Sequence, residues 1–258
     1  MLCYHSVHPS LPFRSATPSQ FADQLAWLRE HCSCVPFGSV LSAREGRRNW
    51  RPIVSITFDD GYADNHRFVL PLLLDHRLSA TFFVTAGFID RDRTAVERFG
   101  MLRRMKPELV TPLDWKQVTE IREAGMEMGA HTYTHPNLAT LAPQDLRFEL
   151  EHSKQVIEER LGRPVTTLAY PFGRPRIHVT AAVERAAQRA GYDLAASIGE
   201  RGVRPNDPPL RIPRIFVAND TVDTLQEKVR GVWDLIGSVR ERIPLAIARA
   251  VSREDFEV

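Results

Sequence analysis

Two short strings hold most of the chemistry this chain could perform: Thr57-Phe58-Asp59-Asp60-Gly61-Tyr62 and His131-Thr132-Tyr133-Thr134-His135. Together they supply two adjacent carboxylates and two imidazoles four residues apart. That is enough for three protein ligands to one divalent cation, with one carboxylate to spare. A metal-assisted hydrolase needs such a set, because the ion acidifies water or polarises a carbonyl while a free base takes the proton. Alone, each string has a plainer reading. An Asp-Asp-Gly sequence often serves only as a turn or helix cap, and a lone histidine is usually structural. The coincidence of the two strings favours metal chemistry over both. Pro136 disfavours helical geometry at His135, and no Glu follows His131, so the pair is not the mid-helix motif of a zincin.

The elements that must position these groups are visible as alternating apolar runs and amphipathic stretches. Strands are predicted at 2–7, 53–58, 80–85, 127–131, 167–170, 194–197 and 212–217. Helices are predicted at 19–31, 65–76, 113–124, 143–161, 179–190 and 221–236. Ser19 is placed to cap the Phe21, Leu25, Leu28 face, and Thr111-Pro112 puts a proline in an opening turn. Gly125, Gly162 and Gly191 each follow a helical pattern, where a left-handed stop residue belongs.

Alternation of this kind implies parallel strands joined by right-handed crossovers. About seven such units favour an α/β barrel over an open sheet. Asp59 and Asp60, His131, and Pro171-Phe172-Gly173 all fall at the carboxyl ends of strands. That is the face where parallel barrels carry chemistry, although a doubly wound sheet would gather its loops there too. The charged stretch 90–107 reads as a long loop beside the site, and 200–209 as another.

Bulk composition narrows the partners. The chain has 258 residues, 43% apolar and 26% charged, which suits one large domain over 1–258 with a helical C-terminal extension at 237–258. A net charge of +2 with scattered basic residues argues against nucleic acid, leaving pairs such as Arg47-Arg48 and Arg103-Arg104 as solvated surface. Cys3, Cys32 and Cys34 give no disulfide framework, and a Cys-x-Cys without a second half points to buried or idle thiols. Nothing approaches a membrane span. The opening Tyr4-His5-Ser6-Val7-His8 is not a basic region followed by an apolar stretch. Read as written, the expectation is a cytoplasmic protein; a leader removed upstream would make it extracytoplasmic.

Thr57-Phe58-Asp59-Asp60-Gly61, followed by Gly129-Ala130-His131-Thr132-x-x-His135, resembles the first two motifs of the NodB-like polysaccharide deacetylases, carbohydrate esterase family 4. Ala80-Thr81-Phe82-Phe83-Val84 lies where that family has its next strand, and Tyr170-Pro171-Phe172-Gly173 resembles its third motif. The opening Tyr4-His5-Ser6-Val7 is similar to the branch containing poly-N-acetylglucosamine deacetylases.

The resemblance implies a distorted (β/α)7 barrel, the NodB homology domain, and hydrolysis of N-acetyl groups on amino sugars. It further implies Asp60, His131 and His135 as metal ligands and Asp59 as general base. The N–H of Phe172 would meet the oxyanion, and Tyr62 and Tyr170 would offer sugar-facing rings. One divalent ion is expected, zinc first, with cobalt, nickel or iron accepted by the same donors. The expected partner is a carbohydrate.

Two departures from the family pattern have consequences. Ala169 stands where the third motif usually opens with an Arg that orients the base. Arg214 on a late strand is the candidate replacement; the plain alternative is packing or surface pairing. The family's late His, a general acid, has no counterpart, since no His follows His178. His5 is the predicted substitute, delivered to the same barrel mouth by its strand, against the alternative of a buried structural imidazole. His8, His31, His66, His76, His152 and His178 are given no role. Two other functions compete with the deacetylase: hydrolysis of a small cyclic amide on the same fold, and carbohydrate binding without turnover.

Overall fold

Each of the seven apolar runs contributes one strand to a closed, all-parallel barrel in the computed structural model. The structure describes residues 1–10, 15–44, 51–102, 110–232, 234–235 and 237–238. Beyond residue 238 the expected C-terminal extension lies outside the described residues, as do Arg47-Arg48 and Arg103-Arg104. In chain order the strands are β1 (Leu2–Tyr4), β2 (Ser6–Val7), β3 (Ser15–Ala16), β4 (Ser33–Cys34), β5 (Ile53–Val54), β6 (Ile56–Phe58), β7 (Ala80–Val84), β8 (Glu127–Ala130), β9 (Thr167–Ala169), β10 (Leu194–Ile198) and β11 (Ile212–Phe216). The barrel runs β1-β11-β10-β9-β8-β7-β6 and closes back on β1, with Leu2 in register with both Ile56 and Ile215. Its weakest seam joins β8 to β9 through the single pair Ala130–Leu168. Two small parallel pairs, β2 with β3 and β4 with β5, flank it.

The helices are α1 (Pro18–His31), α2 (Leu70–His76), α3 (Ala86–Ile89), α4 (Arg93–Leu102), α5 (Trp115–Glu123), α6 (Pro143–Leu161), α7 (Ala181–Arg189) and α8 (Val222–Val229). A π-helical turn, Asn65–Val69, leads into α2. Among the described residues no helix is long and apolar enough to cross a membrane.

Three local expectations are corrected. The cap of α1 is Thr17, not Ser19: Pro18 takes the first helical position, and Thr17 and Gln20 form a reciprocal capping box. Thr111-Pro112 precedes the helix instead of opening it, because Asp114 and Gln117 make a capping box that starts α5 at Trp115. The stretch read as loop from 90 holds α4, whose buried residues Ala95, Phe99 and Gly100 make too small an apolar face to show in the pattern. Gly125, Gly162 and Gly191 do take left-handed φ of 88°, 64° and 82°.

Barrel strands sheathed by helices are buried on both faces, which explains their unbroken apolar runs. Outward residues pack under the helices; Tyr4, Phe58 and Phe82 stack in a row with centroids 5.3 and 5.2 Å apart. The inward set is small and uneven. Phe83, Ala169, Ala196 and Ile212 surround Phe37, which plugs the end where the strands begin. Gly129 has no room for a side chain, since a Cβ there would sit 2.5 Å from the Phe83 ring. The opposite end, where the strands finish, is left to polar groups.

Candidate metal centre and active site

Alternation along β6 points Thr57 and Asp59 into the barrel. The chain then turns sharply, with Asp60 at φ 76° and Gly61 at φ 91°. That left-handed step breaks the alternation and brings the second carboxylate to the same mouth. Four of the seven described non-glycine residues with positive φ belong to this rim: Asp60, Thr132 at 66°, His135 at 59° and Phe172 at 62°. Such backbone is disfavoured for side-chain-bearing residues and gathers at functional sites.

Asp60, His131 and His135 offer three ligand atoms, all within 4.8 Å of one another. Nε2 of His131 and Nε2 of His135 each lie 3.5 Å from Oδ1 of Asp60. Ligands bonded to one tetrahedral ion at about 2.1 Å sit roughly 3.4 Å apart, so these donors have the spacing of a shared cation. Nδ1 of His131 lies 2.7 Å from the carbonyl of Ala169 and is assigned as donor, leaving Nε2 as the lone-pair nitrogen aimed at Asp60. Burial disfavours charge on His131, yet the Asp59 and Asp60 carboxylates outweigh it and raise its pKa above the ordinary imidazole value. The same negative field draws a cation. The residues present therefore fit a divalent metal.

Asp59 has a different partner. Arg214 reaches up inside the barrel from β11, and its Nη1 and Nη2 each donate to one carboxylate oxygen at 2.6 Å. Nη1 also donates to Oγ1 of Thr57 at 2.9 Å, and the guanidinium lies 5.3 Å from the Phe83 ring centroid. Arg214 is 0% exposed and Asp59 2%. Burial works to raise the Asp59 pKa, but the Arg214 and His131 charges override it and hold the carboxyl below its usual value. Ala169 supplies only a methyl to this interior, and Arg214 brings the guanidinium from β11, two strands away from β9.

His5 stands beside this pair: a ring nitrogen of His5, the Cys3 thiol and an Asp59 oxygen lie within 4.8 Å of one another. This second trio is a poor cation site, because both Asp59 oxygens are already committed to a guanidinium. Phe172 packs its ring against His135 and His178, with centroids 5.1 and 5.3 Å away.

The structure does not give Tyr170 and Tyr62 the sugar-facing surfaces expected of them. Tyr170 is 1% exposed; it follows inward-facing Ala169, so its ring enters the helix layer and its hydroxyl donates to the Leu210 carbonyl. Tyr62 is buried edge-on against Phe88 and Phe99. Phe99 in turn packs 5.1 Å from His135, so Tyr62 backs the wall of the site.

Sequence reasoning missed two members of the site. Cys3, expected to be buried or idle, is buried with its thiol 3.5 Å from Oδ2 of Asp59. Burial raises its pKa well above the usual thiol value, so it stays a protonated donor. Glu149 accepts from the backbone N–H groups of Tyr133 and Thr134, between the two histidines. A charged residue on the buried stripe Leu146, Glu149, Leu150, Ser153, Ile157 was the signal that could have found it.

Known proteins share this fold and parts of this sequence. The structure of the Streptococcus pyogenes deacetylase PplD in complex with acetate superposes with a TM-score of 0.74 at 22% identity, over 88% of this chain and 96% of that one, a likeness of fold. IcaB from Ammonifex degensii superposes with a TM-score of 0.69 at 25% identity, over 89% and 96%. In sequence, the chain is 25% identical over 199 residues to YxkH of Bacillus subtilis, and spans 76% of its own length but 63% of that protein. It is 24% identical over 230 residues to the poly-beta-1,6-N-acetyl-D-glucosamine N-deacetylase of Staphylococcus aureus, covering 85% of this chain and 72% of that one. The polysaccharide deacetylase family model matches residues 46–195, from the approach to β6 to the start of β10. With its fold, its motif residues and more than half its length accounted for, the chain belongs to the polysaccharide deacetylase family.

Proposed function

We propose that this protein is a metal-dependent N-deacetylase that releases acetate from an N-acetylglucosamine-containing glycan or glycoconjugate. The observation that carries the reading is the division of labour at the barrel mouth. Asp60, His131 and His135 converge as a three-ligand cluster, while the adjacent Asp59 is tied to Arg214 and kept ionised.

In this reading Asp60, His131 and His135 hold the ion. Zinc suits two imidazoles and a carboxylate at near-tetrahedral spacing, ahead of cobalt, nickel or iron. Bound there, the ion supplies Lewis acidity to the acetamide carbonyl and acidifies the attacking water. Asp59 accepts the proton of that water, which requires it to be a carboxylate at working pH. The Arg214 pair holds it in that state. By its likeness to the family's third motif, the Phe172 N–H would donate to the oxygen that becomes negative. His5 gives a proton to the departing nitrogen, so the bond broken is C–N and the products are acetate and a free amine.

The four ligand and base residues are 5% exposed or less. A reacting group must therefore be small and project from its carrier, as an acetamide projects from a sugar ring. The Staphylococcus match directs the carrier toward an N-acetylglucosamine polymer. Ala169 and the absent late histidine were the best arguments for a binding-only homologue; the positions of Arg214 and His5 weigh against it.

The test is acetate release from N-acetylglucosamine oligomers with zinc or cobalt supplied, run beside a panel of cyclic amides. Release from the oligomers supports the reading. Turnover of the cyclic amides alone would move the protein to the other hydrolase class.

A further inference from the structure

Glu149 sits on the core-facing stripe of α6, 6% exposed. A carboxylate is an acceptor-only group and is expensive to bury unless donors meet it. Three donors do. Tyr133 N–H and Thr134 N–H each lie 2.8 Å from Oε2, and the Thr134 hydroxyl donates to Oε1. From the other side, Nη1 of Arg98 on α4 donates to the Thr134 hydroxyl at 3.1 Å and to its carbonyl at 3.2 Å. All of these contacts fall on Tyr133 and Thr134, two of the three residues between His131 and His135.

That loop needs holding. Thr132, β-branched, takes φ 66° and His135 takes φ 59°, closed by one bond from His135 N–H to the Thr132 hydroxyl at 3.1 Å. Left-handed backbone at such residues persists only where the surroundings over-determine it. The two successive N–H groups at 133 and 134 would otherwise be turned inward with no acceptor, at the full cost of an unmet buried donor.

We infer that Glu149 is the positioning residue of the metal-binding loop, and that Arg98 through Thr134 completes the clamp. The inference rests on the metal reading of Asp60, His131 and His135. Glu149 belongs neither to the three-ligand cluster nor to the Asp59–Arg214 pair. It sets the relative orientation of the two imidazoles before any ion arrives, so its removal should appear as lost metal affinity. Outer partners that orient ligands typically govern about 10–100-fold in affinity.

The deciding experiment titrates the metal-free full chain with cobalt, followed by its ligand-field absorption, and with zinc by chelator competition. It compares wild type, Glu149→Gln, Glu149→Leu and Thr134→Val. The amide of Gln can accept both backbone N–H groups with its oxygen and donate to the Thr134 hydroxyl, whereas Leu fills the space with no acceptor. The expected result is an affinity loss of about 10–100-fold for Glu149→Leu. Glu149→Gln should stay within a few-fold of wild type and keep its cobalt spectrum. A folded Glu149→Leu chain that binds metal like wild type overturns the inference, because a space-filling role predicts that outcome. Should Glu149→Leu fail to fold, Thr134→Val decides: weakened metal affinity is expected, and unchanged affinity overturns the clamp. A wild-type chain that binds neither ion overturns the metal reading itself, and the clamp with it. Binding by wild type with unchanged variants removes the clamp alone.

Discussion

Arg214 and Asp59 form a bidentate ion pair inside the barrel, from strands that close on one another only through β1, with both side chains withdrawn from solvent. Removing one partner of a buried pair leaves an uncompensated charge and costs about 3–5 kcal/mol. Arg214→Met should therefore lower the melting temperature steeply at neutral pH. The pH dependence should also reverse. In the native protein the Asp59 pKa is depressed, so its stabilising contribution is present above the unfolded value of about 3.9 and is lost as pH falls through the lower folded value. Without Arg214, burial pushes that pKa up, and stability is lost as pH rises. Melting curves from pH 2 to 8 check this, with partial recovery expected in Arg214→Met/Asp59→Asn.

In the proposed mechanism His5 acts on the leaving group and not on the ion. Its ring lies 5.2 Å from Phe216 and within reach of Asp59, while the three-ligand cluster is complete without it. His5→Ala should reduce turnover by about 10²–10⁴-fold, the range of a lost general acid, and leave bound metal unchanged. Metal content by elemental analysis and acetate release on the same sample read both quantities. Unchanged turnover with intact metal would remove His5 from the mechanism.

His178 is buried beside Phe172, and its Nδ1 accepts from the Arg174 N–H at 3.3 Å. Burial, then the Arg174 charge, lowers its pKa to about 4. A histidine with a depressed folded pKa stabilises the fold fully above its unfolded value of about 6.5. That contribution is lost as pH falls from there toward 4. His178→Gln should flatten the fall in melting temperature between pH 6.5 and 4, seen as the difference between the two metal-free proteins.

Gly129 is the tightest point of the barrel interior. A Cβ there would meet the Phe83 ring at 2.5 Å and the Thr167 hydroxyl at 2.7 Å. Overpacking of this kind typically costs about 1–3 kcal/mol. Gly129→Ala should lower the melting temperature and, by displacing Phe83, loosen the support beneath Arg214. Denaturant unfolding gives the first effect, and the pH profile of the reaction the second.

The parts of this molecule written in contiguous residues were legible in advance. Seven apolar runs, each ended by polar residues, favoured the parallel barrel that the structure shows over an open sheet, and the Asp-Asp and His-x-x-x-His strings supplied the donors for one cation, with the resemblance to the deacetylases separating the candidate ligand Asp60 from Asp59. Capping was legible only in part: the Thr17-Pro18 step outranks Ser19, because proline fixes the first helical position. Tyr170 was misplaced because the expectation came from a motif and not from strand alternation, which turns it away from the mouth. Cys3, 56 residues from Asp59, and Glu149 were invisible for another reason. Their roles exist only once strands and helices distant in sequence are brought together.

The most direct test of the account separates holding the ion from using it. Wild type and Asp59→Asn, both loaded with zinc, are compared for metal stoichiometry and for acetate release from N-acetylglucosamine oligomers. The account predicts one bound ion in each protein, with acetate release in wild type, lost on chelation and restored by zinc or cobalt, and essentially none in Asp59→Asn. Undiminished release from Asp59→Asn, or release from wild type that survives removal of the metal, would contradict it.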